Sequence, residues 1–130
     1  MAFSASFQTR HTDAFAATGF VHSGVLLALT DLAYAEFEAH CGIVKPAHVV
    51  AMQRETRANY HAPLPWRDGA TIEVLTTEAS EREFTQEFAI RSTVSGNAIA
   101  TFVHHWAWVD TNNGRRVDIG DADQGKLMQG

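Results

Sequence analysis

Cysteine is almost absent from this 130-residue chain: Cys41 stands alone, so no internal disulfide can form and no oxidising compartment is implied. A basic surplus is missing as well. Ten Lys and Arg against fifteen Asp and Glu leave a net charge of −5, which argues against nucleic acid as a partner, because phosphates need cations to neutralise them. There is no long hydrophobic run. The two longest stretches free of Asp, Glu, Lys and Arg, residues 14–30 and 92–109, still hold His22, Ser23 and two glycines in the first and Ser92, Asn97, His104 and His105 in the second, so they are too short and too polar to span a bilayer. No membrane partner is expected. The opening MAFSASFQTRH lacks the basic-then-apolar pattern of a secretion signal, and the expected location is the cytoplasm. Internal repeats and low-complexity linkers are missing too. What remains is an ordinary globular composition, 45% apolar and 19% charged, sufficient for one core and one domain.

The most apolar segment is HSGVLLALTDLAYAEF, residues 22–37, and it carries a single full charge between Ser23 and Ala35, that of Asp31. Leu26, Leu29, Ala33 and Phe37 recur at three- and four-residue steps, which predicts a helix from Ser23 to about residue 40, stopped by Gly42. Val25, Leu27, Ala28 and Leu32 cover most of the remaining surface. Such a helix is expected to be wrapped rather than laid on a surface.

Elsewhere the period is two. Residues 3–11 read as a short strand with Phe3, Ala5 and Phe7 on one face. Residues 48–60 read as a long strand with Val50, Met52, Thr56 and Tyr60 on one face. APLPWRDG breaks both helix and sheet, and Ser95-Gly96-Asn97 and Asn112-Asn113-Gly114 mark turns. Residues 70–79, 84–91 and 98–109 are further strands, the last apolar on both faces and therefore interior. The order predicts an α+β domain over residues 1–119, one long central helix wrapped by a five-stranded antiparallel sheet, with a frayed tail at 120–130. Part of the second sheet face is apolar, which implies a homodimer or homotetramer.

The run GFVHSGVLLALTDLA, Gly19 to Ala33, resembles the helix start of hotdog-fold acyl-CoA thioesterases. In the phenylacetate-pathway and 4-hydroxybenzoyl-CoA thioesterase branch, a His-Gly-Gly opens the helix and an acidic residue follows nine positions after the His. His22 and Asp31 keep that spacing. The later R-x-x-Y-x-x-P-x-x-x-x-x-G-x-x-I-x-V, Arg57 to Val74, is similar to the second and third strands of that superfamily. Two departures stand out. Ser23 replaces the first Gly after the His, and Ala16 occupies the place of a loop aspartate that another branch uses. Asp13 lies near that place, as an alternative carboxylate that reaches a site only through a shifted loop.

The resemblance implies hydrolysis of a small-acyl or aromatic acyl thioester. Asp31 would be base or nucleophile, the Ser23 N–H the oxyanion donor, His22 a residue that orients the loop or lines the site, and Gly24 a substrate neighbour. A helix N-terminus suits an oxyanion, since its free N–H groups and dipole favour negative charge. Asp31 lies two turns beyond Ser23, roughly 12 Å of rise, so the resemblance implies a site shared across a twofold interface. No cofactor is implied beyond the coenzyme A of the substrate, although the carrier could equally be a protein. Arg67, Arg82, Arg115 and Arg116 are the candidates for coenzyme A phosphates, or solvated turn charges.

Plainer readings stand beside these. Asp31 could be a structural carboxylate paired with Arg54, Arg57 or Arg91. Ser23 could be a simple N-cap, and His22 a satisfied helix-start histidine. Tyr34, Phe37, Trp106 and Trp108 suit a core or an interface. His104 and His105 are adjacent on a strand, point to opposite faces and cannot chelate one metal, and no metal site is expected. Two other functions share the element order: an acyl-thioester hydratase or dehydratase of the same fold, and a non-catalytic cystatin-like binding module.

Overall fold

The computed structural model describes residues 3–130. Alternating apolar residues produce β1 (Phe3–Phe7), with Phe3, Ala5 and Phe7 turned inward. The strand ends sooner than the sequence pattern suggests, because a 3-10 turn, His11–Asp13, takes over the chain. Helix α1 (Ser23–Cys41) follows and stops at Gly42, whose φ of 73° lets it adopt the left-handed conformation that closes a helix end. Ile43 N–H then reaches back to Glu38 O, satisfying one of the last free carbonyls.

The strands β2 (Val49–Tyr60), β3 (Ala70–Ala79), β4 (Phe84–Ser92), β5 (Ala98–Asp110) and β6 (Arg116–Val117) complete the sheet with β1. It has six strands rather than five, in the order β1-β3-β4-β5-β2, with the two-residue β6 attached to β5. Every pairing is antiparallel. The expected frayed tail is instead helix α2 (Asp121–Gln129). Leu127 and Ile119 are buried in the core and hold it there, so the tail belongs to the domain.

Leu26, Leu29, Ala33 and Phe37 bury one face of α1 against the sheet. The helix is not wrapped all round. Ala28, Asp31, Leu32 and Ala35 lie exposed on its other face, Leu32 at 54%. Strand β2, which takes only β5 as a neighbour, shows Val50 and Met52 to solvent at 41% and 47%.

Strand β2 also breaks the expected single face. Gln53 stands opposite Trp106 and Glu55 opposite His105, so Arg54 is an extra, bulged residue. One inserted residue moves everything beyond it to the other face of the sheet. Val50 and Met52 therefore face away from the helix, while Thr56 faces the buried His104.

Candidate functional site

The start of α1 is held by a loop tied at both sides. Val21 N–H donates to Leu64 O at 2.9 Å, Trp66 N–H to Gly19 O at 3.0 Å and His22 N–H to Asp13 O at 3.0 Å. His22 is the N-cap, in extended backbone geometry, without a side-chain capping bond. Its imidazole instead packs against Phe15, with ring centroids 3.8 Å apart and the planes tilted by 55°. Ser23 is the first helical residue and not the cap. Val25 and Leu26 N–H both donate to His22 O, whereas the Ser23 and Gly24 N–H groups have no acceptor among the described residues. A Cβ added at Gly24 would meet nothing within 4 Å, so this glycine serves no packing need of its own chain. Ser23 borders a groove of about 330 Å³ with Val21, Leu26, Tyr60 and Leu64. These two free donors sit at the positive end of the helix dipole, a place suited to developing negative charge.

Asp31 lies on the open face of α1, not inside the core. Gln53 Nε2 donates to its Oδ1 at 2.5 Å, and Asp31 makes no ion pair among the described residues. Of the three arginines a structural carboxylate could use, Arg54 pairs with Glu83 at 3.2 Å and Arg91 with Glu73 at 2.7 Å, while Arg57, opposite Val103 on the other face of the sheet, makes no ion pair among the described residues. Partial burial raises the Asp31 carboxyl above the usual value, and the Gln53 hydrogen bond opposes that shift.

Around Asp31 runs a groove of about 500 Å³ between α1 and the edge strand β2, lined also by Tyr34, Glu38, Lys45, Gln53 and Trp106. Its floor is built from stacked rings, Tyr34 on Trp106 with centroids 4.5 Å apart. Tyr34 Oη donates to Glu38 at 2.5 Å, and Lys45 Nζ donates to the same carboxylate at 2.5 Å. Burial and the Glu38 charge push the Tyr34 phenol far above its ordinary value, so it stays a neutral donor. Trp106 Nε1 is buried with no partner among the described residues. Two of the four aromatic residues expected in a core or interface, Tyr34 and Trp106, therefore also line this groove.

Gln53 belongs to a longer polar path that the sequence did not announce. Thr56 Oγ1 lies 3.2 Å from Gln53 Oε1 and 2.9 Å from His104 Nδ1. His104 Nε2 lies 2.8 Å from Thr30 Oγ1 on α1. Burial, with the His105 charge as a lesser cause, pushes the His104 pKa down to about 4, so the ring is neutral near pH 7. His105 points to the opposite face and meets Thr85 Oγ1 at 2.9 Å, as strand alternation requires.

The other candidates fall into separate places. Asp13 already abuts the helix start through its main chain, without any loop shift. Its carboxylate turns back to the Arg10 N–H at 2.8 Å. Arg67 stacks on Trp66, 5.3 Å from the ring centroid, in the loop that holds Gly19. Arg82 sits in the turn at the far end of β3, roughly 30 Å of strand away, so one chain cannot bring both to one phosphate. Arg115 and Arg116 follow the Asp110 end of β5, and Arg116 pairs with Asp118 at 3.3 Å. Among the described residues, no group of three or more His, Cys, Asp or Glu could hold a metal ion, and no helix is long and apolar enough to cross a membrane.

The family model of the thioesterase-like superfamily matches residues 8–127. No curated protein matches the sequence. Solved structures with the same fold include a 1,4-dihydroxy-2-naphthoyl-CoA thioesterase from Synechocystis, at 16% identity and a TM-score of 0.82, covering 98% of this chain and 96% of that one. A gentisyl-coenzyme A thioesterase superposes at 19% identity and a TM-score of 0.83, covering 96% and 99%. A 4-hydroxybenzoyl-CoA thioesterase mutant in complex with 4-hydroxybenzoyl-CoA does so at 16% identity and a TM-score of 0.86, covering 97% and 98%.

Proposed function

The chain belongs to the thioesterase-like superfamily, and from that premise we propose that it hydrolyses an acyl-coenzyme A thioester with a small or aromatic acyl group. Asp31 acts as general base or nucleophile, and the Ser23 and Gly24 N–H groups bind the oxyanion. The observation that supports this most is the pair of unfilled donors at the α1 N-terminus together with a carboxylate that, among the described residues, has no cation to neutralise it. A structural aspartate would have an arginine partner. This one has only an amide.

The two parts lie in different grooves, Ser23 in one and Asp31 in the other. Eight residues of helix separate them by roughly 12 Å, too far for one carbonyl to meet both. A homodimer resolves this. Leu32 and Ala35, exposed on α1 beside the edge strand β2, offer an apolar surface that a second copy would bury. A twofold axis there sets the donors of one protomer against Asp31 of its partner. Arg67, which packs on Trp66 in the loop tied to the helix start, would then meet a coenzyme A phosphate.

A panel of acyl-CoAs assayed with a thiol reagent tests the reading. Release of free coenzyme A is expected with at least one small or aromatic acyl group. Unchanged thioester accompanied by altered enoyl absorbance would identify a lyase instead, and inertness towards the whole panel would leave a binding protein.

A further inference from the structure

The hydrogen bonds from Thr30 to Asp31 form one path, and a count of its protons finds an imbalance. Thr30 Oγ1 donates to Leu27 O at 2.6 Å, which uses its only proton. It must therefore accept from His104 Nε2, 2.8 Å away, so the proton of the neutral ring sits on Nε2. His104 Nδ1 then offers a lone pair, and Thr56 Oγ1 at 2.9 Å has to donate to it. Nothing is left for Thr56 to give Gln53 Oε1 at 3.2 Å, because the Gln53 amide turns its Nε2 to Asp31. Two oxygen lone pairs face each other there. With Asp31 ionised, the path is one proton short.

A proton on Asp31 removes the conflict. The Gln53 amide turns over, its oxygen accepts from the Asp31 carboxyl, and its Nε2–H donates to Thr56 Oγ1. Every donor then has an acceptor. We propose that Thr30, His104, Thr56 and Gln53 form a positioning relay that makes Asp31 a stronger base by completing its hydrogen bonds only when the carboxyl holds a proton. The proposal rests on reading Asp31 as the base of thioester hydrolysis and adds what tunes it. The β-bulge at Arg54 is what puts Gln53 and Thr56 on the same face.

Other charges near the groove do not supply this effect. Glu38 and Lys45 line it but neutralise each other at 2.5 Å, and Tyr34 gives its proton to Glu38. Glu55 and His105 stand opposite one another on the other face of the sheet, and Arg54 turns to Glu83. Partial burial of Asp31 acts in the same direction as the relay, while the Gln53 Nε2–H bond to the ionised carboxylate acts against both.

The test is a pH titration of the Asp31 carboxyl carbon by NMR in the intact protein. Thr56→Val removes both the opposing oxygen and the acceptor, so the Asp31 midpoint should fall by about half to one pH unit, the equivalent of one modest hydrogen bond. Thr56→Ser keeps the hydroxyl and should keep the midpoint. An unmoved midpoint in folded Thr56→Val, or the same fall in Thr56→Ser, overturns the relay. Nitrogen-15 shifts of His104 give a second reading without any mutation. The Nε2–H tautomer is expected, and an Nδ1–H tautomer overturns the relay by freeing the Thr56 proton for Gln53. Failure of the underlying function looks different: Asp31→Asn would still hydrolyse thioesters while the titration followed the relay.

Discussion

Gln53 and Thr56 are three residues apart on an extended strand, yet both side chains reach into the same polar path, Gln53 to Asp31 and Thr56 to His104. Regular alternation would send them to opposite faces. The extra residue at Arg54 reverses the alternation between them, and this gives an exposed helix carboxylate a partner without giving it a cation. A buried ion pair would have fixed Asp31 as a counter-charge. An amide leaves it free to take a proton.

The open face of α1 leads to a prediction about assembly. Leu32 is 54% exposed beside Asp31 and makes no contribution to the core of its own chain. Leu32→Glu should leave the secondary structure by circular dichroism intact and convert a dimer to a monomer in sedimentation at micromolar concentration. Thioester hydrolysis should fall with it. A wild-type protein that sediments as a monomer while active would refute the shared site.

At the helix start, backbone and side chain can be separated. Ser23 is the first helical residue and not the cap, so Ser23→Ala should keep turnover within a few-fold. Ser23→Pro deletes the N–H while fitting the first helical position, and His22, at φ −62° and ψ 143°, already has the backbone a residue before proline prefers. Turnover should drop by roughly 10²–10³, the usual loss for one oxyanion donor. Equal losses in the two variants would mean that the hydroxyl, not the N–H, acts.

The strand–helix–strand order and the α1 boundaries were legible because their signals are long: a 3.6-residue period over five turns, then period-two runs ended by Gly and Asn. Asp31 was legible as an anomaly, one charge in an apolar helix. The polar path was not. Gln53 and Thr56 look like ordinary strand residues, and only a bulge, which is a backbone event without a residue signature here, brings them together. His104 sits among Phe88, Phe102 and Trp106, where its pattern is that of a core position. Helix α2 escaped for the opposite reason: a mid-helix glycine, Gly125, and a polar composition hide Leu127, its one buried residue.

His104 predicts how stability depends on pH. Its folded pKa of about 4 lies below the unfolded value near 6.5, so the folded state favours the neutral ring. The contribution is fully present above the unfolded value and is lost as pH falls from about 6.5 towards 4, on the order of 3 kcal/mol in all. Urea denaturation across that window should show a loss of stability that flattens in His104→Gln. An equal slope in the variant would assign the loss to other groups.

Asp31→Asn decides between a chemical and a structural carboxylate. Asn can still accept from Gln53 Nε2 through its amide oxygen, so the link to β2 at 2.5 Å survives the substitution. No arginine is orphaned, because Arg54 and Arg91 keep Glu83 and Glu73. The melting temperature should therefore hold or rise, as it often does when an active-site charge is removed. Hydrolysis should fall by roughly 10²–10⁴, the range for a lost general base, and by more if Asp31 is the nucleophile. Substrate should still bind, since the Ser23 and Gly24 donors are untouched. The contrary pattern, a marked loss of stability with hydrolysis retained in the folded fraction, would make Asp31 a scaffold residue and move the search for the base to Asp13, whose main chain already lies against His22.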